Sequence, residues 1–180
     1  MGAGYNGSTT FGFLYNGSQF TSISDPLAPT QSWVTGISGT TVVGIYVRAY
    51  NSYHGFVFDG STYTTIDGPN LGSVGPVDGT VLQAIDGTKL VGTVHNVSVN
   101  GEPYAHGFIY DGSTFDIVSY PPARGTFLTG ESGNTVVGYY YSYSDNVSHS
   151  FIATTPEPNA AGMLLFGGSL LALRRRKIRR

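Results

Sequence analysis

Gly12-Phe13-Leu14-Tyr15-Asn16-Gly17-Ser18 recurs as Gly55-Phe56-Val57-Phe58-Asp59-Gly60-Ser61 and again as Gly107-Phe108-Ile109-Tyr110-Asp111-Gly112-Ser113. A divergent copy begins at Ser150-Phe151-Ile152. The leading phenylalanines, 13, 56, 108 and 151, stand 43, 52 and 43 residues apart, which is the signature of a repeat architecture. A second phrase follows within each unit: Gly39-Thr40-Thr41-Val42-Val43-Gly44, Gly87-Thr88-Lys89-Leu90-Val91-Gly92 and Gly133-Asn134-Thr135-Val136-Val137-Gly138. The middle unit is longer, and its excess falls in stretches rich in Gly, Asn and Pro, where loop insertions are tolerated.

Aromatic and β-branched residues dominate the runs between turn signals, which predicts short strands. In the first unit these lie near residues 12–15, 19–23, 33–37 and 42–48. Asn16-Gly17, Asp59-Gly60 and Asp111-Gly112 are read as tight hairpin turns, with both residues supplying positive φ. The expectation is an all-β domain over residues 1–153. It has units of about four antiparallel strands at 12–54, 55–106 and 107–149, and a partial unit at each end. Four strands per unit fit a propeller-like arrangement, incomplete at both ends. A β-trefoil is the alternative and a short β-solenoid the third choice.

Pro156-Glu157-Pro158 lies in a linker at 154–159, where proline ends strand pairing. Residues 160–173 carry no charge, and residues 174–180 form a basic tail. As a helix the apolar run would span about 21 Å. That is short of the roughly 30 Å hydrocarbon core of a bilayer. Its positive flank, Arg174, Arg175, Arg176, Lys177, Arg179 and Arg180, favours a membrane-inserted helix with a cytoplasmic end. Before Pro156 there are only Arg48, Lys89 and Arg124 against ten acidic residues, so the body is mildly acidic. A nucleic-acid partner is therefore not expected, because it needs a distributed basic face. The absence of Cys removes disulfides and thiolate chemistry.

The order Pro-Glu-Pro, apolar segment, arginine cluster at residues 156–180 resembles the PEP-CTERM sorting signal of Gram-negative bacteria. The phrases His54-Gly55-Phe56, His106-Gly107-Phe108 and Val42-Val43-Gly44 resemble the HAF family of extracellular repeats. That second likeness covers most of residues 12–153. Together they imply an exported protein without enzymatic activity or a cofactor. It would be held transiently at the inner membrane and processed by an exosortase-type protease, then reach the cell surface or the extracellular matrix. Pro156, Glu157 and Pro158 would be the recognition motif. Met1-Gly2-Ala3-Gly4-Tyr5 shows neither the basic nor the apolar run of an export signal, so a start further upstream is expected.

His54, His106 and His149 recur ahead of Gly-Phe or Ser-Phe and could suggest a metal set. The simpler reading gives each the same structural task in its own unit, bonding a turn carbonyl, with no metal bound. His95 lies outside the pattern. Asp59 and Asp111 align with Asn16, so they are read as turn residues and not as a catalytic acid pair. Glu102 and Glu131 have no repeated partner, and Ser38 and Ser132 lie in turns. No catalytic residue is assigned. Tyr139, Tyr140, Tyr141 and Tyr143 form an aromatic cluster on one strand, so alternate members should be exposed. This leaves a second function class, a module that binds an extracellular polysaccharide or a protein through stacked rings. A hydrolase is less favoured, since it would need acids or histidines from different units to converge.

Overall fold

A computed structural model describes residues 1–28, 31–48, 52–69, 79–95 and 104–155. The sorting motif Pro156-Glu157-Pro158, the apolar run at 160–173 and the basic cluster at 174–180 lie outside the described residues. Among the described residues the protein is all-β, with no helix.

Fourteen strands follow in order: β1 (Gly2–Tyr5), β2 (Thr10–Tyr15), β3 (Phe20–Ile23), β4 (Ser32–Ser38), β5 (Thr41–Val47), β6 (Tyr53–Phe58), β7 (Tyr63–Ile66), β8 (Gly79–Asp86), β9 (Lys89–His95), β10 (Ala105–Tyr110), β11 (Phe115–Val118), β12 (Ala123–Ser132), β13 (Thr135–Ser142) and β14 (Ser148–Thr154). They pair as antiparallel meanders: β1–β3, β4–β7, β8–β11 and β12–β14. The last three merge into one mixed sheet through two parallel contacts, Tyr53 with Gly79 and Ala105 with Gly125. A third parallel bridge, Thr10 with Gln31, joins β2 to the start of β4. The sheet does not close into a barrel.

Within each of the three larger meanders the first two strands meet in a two-residue turn. Gly39, Gly87 and Gly133 adopt φ of 59°, 61° and 59° there. Positive φ at the first turn residue alone suits a type II′ hairpin, which matches strand twist. Four residues before each turn the register shifts between Val34 and Gly36, Leu82 and Ala84, and Leu128 and Gly130. The bulge therefore recurs at one structural position and bends the first strand each time.

The Asn-Gly and Asp-Gly turns differ from their sequence reading. Only the glycines have positive φ, with Gly17 at 100°, Gly60 at 104° and Gly112 at 101°. The preceding side chain acts as an acceptor in a four-residue loop. Asp111 Oδ1 accepts from Ser113 N and Thr114 N, each at 2.8 Å, and Asp59 Oδ1 does the same with Ser61 N and Thr62 N. Asn16 fills this place with Ser18 N at 3.0 Å and Gln19 N at 2.9 Å. A further copy occurs at Asn6, bonded to Thr9 N at 2.9 Å. The backbone N–H groups of Thr62 and Ser61 hold the Asp59 carboxyl below its ordinary pKa. Those of Thr114 and Ser113 hold Asp111 lower still.

The core lies between successive meanders, in three clusters. Ile23 and Leu14 pack on Val34, Val42 and Phe56. Val43, Val57 and Ile66 pack on Leu82, Leu90 and Phe108. Val91, Ile109 and Val118 pack on Leu128, Val136 and Phe151. Close approach is achieved over glycine. A Cβ on Gly55 would lie 2.7 Å from Leu82 Cγ, and one on Gly107 would lie 2.8 Å from Leu128 Cγ.

Gly107→Val should destabilise the protein by about 2 kcal/mol or more, because the added carbons must displace Leu128 in a packed layer. Gly7→Ala keeps open space around the new Cβ and strains only φ, which is 97°. Its cost should stay near 1 kcal/mol. Urea denaturation of the two variants beside the parent checks the ranking.

Candidate functional site

The third meander carries the aromatic cluster. Alternation along β13 sends Val137, Tyr139 and Tyr141 to its outer face and Val136 and Tyr140 toward β8–β11. Pairing sets Phe127 opposite Tyr139 and Gly125 opposite Tyr141, so the large rings stand beside a residue with no side chain. Phe127 and Tyr139 lie nearly parallel, with centroids 4.7 Å apart and planes 10° apart. Tyr141 meets both edge-on, at 6.5 and 6.4 Å. Tyr104 reaches Phe127 from the second meander at 6.1 Å, anchored by its backbone N–H to Arg124 O at 2.8 Å. The Arg124 guanidinium lies 5.3 Å from the centre of the Tyr143 ring. Tyr141 and Tyr143 remain exposed, at 39% and 41%.

Tyr140 belongs to a different group. It stacks on Tyr120 at 3.9 Å and 14°, and on His149 at 5.2 Å and 21°. The run of tyrosines is therefore divided between an open aromatic face and an inter-meander stack. The sequence marked the run itself but not Phe127, Tyr104, Tyr120 or Arg124, which arrive through pairing across turns and meanders. Their only sequence signal is position: Phe127 stands where Trp33 and Val81 stand in the earlier units.

His95 also joins this patch. Its ring lies 5.9 Å from Phe127, and burial pushes its pKa down. It sits in a lateral row in which Tyr53, Gly79, His95, Ala105, Gly125 and Tyr141 are successive Cα partners. Small residues in that row let the meanders merge, and the patch lies at the row's far end.

The other histidines keep recurrent positions, and each meets at least one polar side chain. His54 Nδ1 meets Asp67 Oδ1 at 2.9 Å, and its Nε2 meets Ser52 Oγ at 3.1 Å. His106 Nδ1 meets Ser119 Oγ at 2.7 Å. His149 Nε2 meets Asp145 Oδ2 at 2.8 Å. For His54 and His106 the chain leaving the hairpin after the Asp-Gly loop returns the polar side chain, whereas the partner of His149 lies in the turn before β14. Among the described residues no three His, Asp or Glu side chains converge to hold a metal.

One carboxylate stands apart. Glu131 occupies the register position of Ile37 and Ile85, with its side chain 1% exposed. Lys89 Nζ lies 3.4 Å from Oε1 and instead donates to Gly133 O at 2.9 Å. Both Glu131 oxygens lack a hydrogen-bond partner. Desolvation raises its pKa, with the attraction of Lys89 offsetting part of the rise. Asp86, the nearest other acid along this edge, accepts from Gly133 N at 2.8 Å.

The sign of this perturbation makes a prediction. The unfolded chain releases the Glu131 proton first as pH rises, so native stability falls from the ordinary glutamate value up to the raised one and stays lowered above it. Glu131→Ile should therefore raise stability at pH 7 by about 1–2 kcal/mol and flatten that part of the pH profile. Thermal unfolding between pH 4 and 8 checks both effects.

No protein-family model matches the chain, and no curated protein or solved structure matches it either.

Proposed function

We propose that this is a non-enzymatic, exported repeat protein of the cell surface or extracellular matrix, delivered through its C-terminal sorting signal. The observation that carries the proposal is the ordered tail: Pro156-Glu157-Pro158, the uncharged residues 160–173, and the arginine cluster at 174–180. The body supports it. Its recurring polar residues, Asn16, Asp59 and Asp111, are consumed by the same loop bonds in each copy. An exosortase-type protease would read Pro156-Glu157-Pro158 while residues 160–173 sit in the inner membrane, with the basic end on the cytoplasmic side.

The body is proposed to be a propeller-like fan. Successive meanders pack face to face, the three larger ones have their bulge at the same place, and β4, β8 and β12 lie side by side as inner strands would.

The protein should be cleaved near residues 156–158 in a host that possesses an exosortase, and its body should appear outside the inner membrane. Changing Pro156-Glu157-Pro158 to three alanines should leave the full-length chain membrane-bound. Fractionation with mass determination of the C-terminus checks this. Recovery of only uncleaved, cytoplasmic protein would overturn the sorting proposal.

A second reading, a polysaccharide-binding module, rests on the exposed Tyr141 ring beside the half-buried pair Phe127 and Tyr139. Exposed rings suit the apolar faces of sugars. Tyr141→Ala should weaken binding to a soluble polysaccharide by about tenfold, on the scale of lost ring contacts of about 1–2 kcal/mol. Affinity electrophoresis in gels containing different polysaccharides reads the shift, and equal migration of parent and variant in all of them would remove this reading.

A further inference from the structure

The chain crosses from each outer strand to the next meander at one recurrent position, held by Asp25, Gly68 and Tyr120. The crossing is pinned in the same way each time. The backbone N–H donates to a hydroxyl near the start of the next first strand: Asp25 N to Ser32 Oγ at 3.2 Å, Gly68 N to Thr80 Oγ1 at 2.7 Å, and Tyr120 N to Thr126 Oγ1 at 2.9 Å. The direct partners of these hydroxyl residues in the second strand are Tyr46, Val94 and Tyr140. The crossing residue therefore comes to rest on that second-strand position.

The first two crossings are closed. Asp25 and Tyr46 are both fully buried, and a Cβ on Gly68 would run into Val94. At the third crossing both places are taken by tyrosine, and the site is open, with Tyr120 43% exposed. The two rings stack at 3.9 Å with 14° between planes, the closest ring pair among the described residues. Desolvation raises the Tyr140 pKa, and the Tyr120 hydroxyl adds to the rise by bonding the neutral phenol, so both hydroxyls lie at one end of the stack. The ring carbons ortho to the two hydroxyls consequently face each other. His149 covers the other face of Tyr140 at 5.2 Å and 21° and holds that ring from behind.

We propose that Tyr120 and Tyr140 are an oxidative cross-linking site, joined as dityrosine by hydrogen peroxide acting through a haem peroxidase. Each phenol gives up one electron and its hydroxyl proton and becomes a phenoxyl radical. The two radicals pair in a carbon–carbon bond between ortho carbons. Each ring then loses its ortho hydrogen as a proton, and each oxygen takes a proton back, which restores both phenols. Two electrons and two protons leave in all, and they reduce one hydrogen peroxide to two waters. The bonded rings cannot stay stacked, and Tyr120 is the one free to tilt. It lies between β11 and β12 with its ring half in solvent, whereas Tyr140 is paired on both sides within β13.

The other tyrosines are placed less well for this coupling. Among the described residues one further tyrosine pair meets, Tyr139 with Tyr141, and it does so edge-on at 6.4 Å. Tyr15 is more exposed than Tyr120 but stacks on Phe20, which has no hydroxyl to oxidise. A bond between Tyr120 and Tyr140 would tie β8–β11 to β12–β14. It would also constrain the unfolded chain between the two residues, which stabilises the folded body. The site is independent of the sorting signal and of the aromatic face at Tyr141.

Trypsin gives a direct reading, because cleavage after Lys89 and Arg124 places Tyr120 in residues 90–124 and Tyr140 in residues 125–174. The full chain, dilute in mild detergent, is treated with a haem peroxidase and one equivalent of hydrogen peroxide, then denatured and digested. The two fragments should remain joined and show dityrosine fluorescence, in material that runs as a single 19.1 kDa chain before digestion. Fragment mass spectra should place the bond at Tyr120 and Tyr140, and the treated protein should melt at a higher temperature than the untreated one. Tyr120→Phe and Tyr140→Phe retain the rings and should each lose the joined fragment, while Tyr141→Phe should keep it. A parent whose fragments separate, or whose dityrosine appears only in dimers, would overturn the proposal. So would a joined fragment that persists in Tyr120→Phe, or mass spectra that place the bond at Tyr104 and Tyr141.

Discussion

The structure depends on a single steric constraint: one meander can press on the next only where a strand gives up its side chain. Leu82 sits over Gly55 and Leu128 over Gly107, at distances that exclude a Cβ. Glycine in a strand ordinarily weakens it by loss of packing and by entropy. Here the neighbouring meander restores the packing, and the strand's own partner helps. Phe56 covers Gly44 and Phe108 covers Gly92, across directly paired positions. The glycine-rich composition is thus what allows closely stacked sheets, and it is compatible with an ordered core.

That constraint gives the stack a direction. Each meander offers aliphatic residues to the next, and to the one before it presents both aliphatic residues and a ring, Phe56, Phe108 or Phe151. The hairpin ends reinforce the order, since Ser38 Oγ accepts from Gly87 N at 3.1 Å and Asp86 Oδ2 accepts from Gly133 N at 2.8 Å. The same position thus supplies a side-chain acceptor to the glycine of the following turn. Lateral parallel contacts at Tyr53–Gly79 and Ala105–Gly125 fix the spacing. Order along the stack rests on many short-range agreements, which is how repeat proteins acquire stability from neighbour to neighbour.

Strand positions were legible because alternation and turn residues are local. The reading of residues 33–37 and 42–48 corresponds closely to β4, Ser32–Ser38, and β5, Thr41–Val47. Three kinds of feature were not legible. The bulges at Thr35, Gln83 and Thr129 leave no compositional mark. Asp67 and Ser119, which meet His54 and His106, come from thirteen positions later and depend on the following hairpin, while Asp145 meets His149 from a turn four positions earlier. The open aromatic face required knowledge of which residue stands beside each tyrosine. Glu131 shows what alignment of the units alone could have found. A charge at an isoleucine position is visible by register, although its missing hydrogen bonds are not.

Comparing equivalent positions separates scaffold from chemistry. Val42, Leu90 and Val136 remain aliphatic and buried, and Gly44, Gly92 and Gly138 remain glycine, because the neighbouring meander or partner ring leaves no alternative. Ile45, Thr93 and Tyr139 differ freely, as do Val47, His95 and Tyr141, although each set occupies one register position of the second strand. Trp33, Val81 and Phe127 vary in the paired first strand. These positions lie toward the end of the meander away from the type II′ hairpin. In the third unit all of them become aromatic together. A purely structural strand has no need for three rings on its uncovered face, since their burial there yields less than it would inside a core. The variable end of the last meander thus changes its side chains from unit to unit, and the recurrent glycines and aliphatics are what hold it in place.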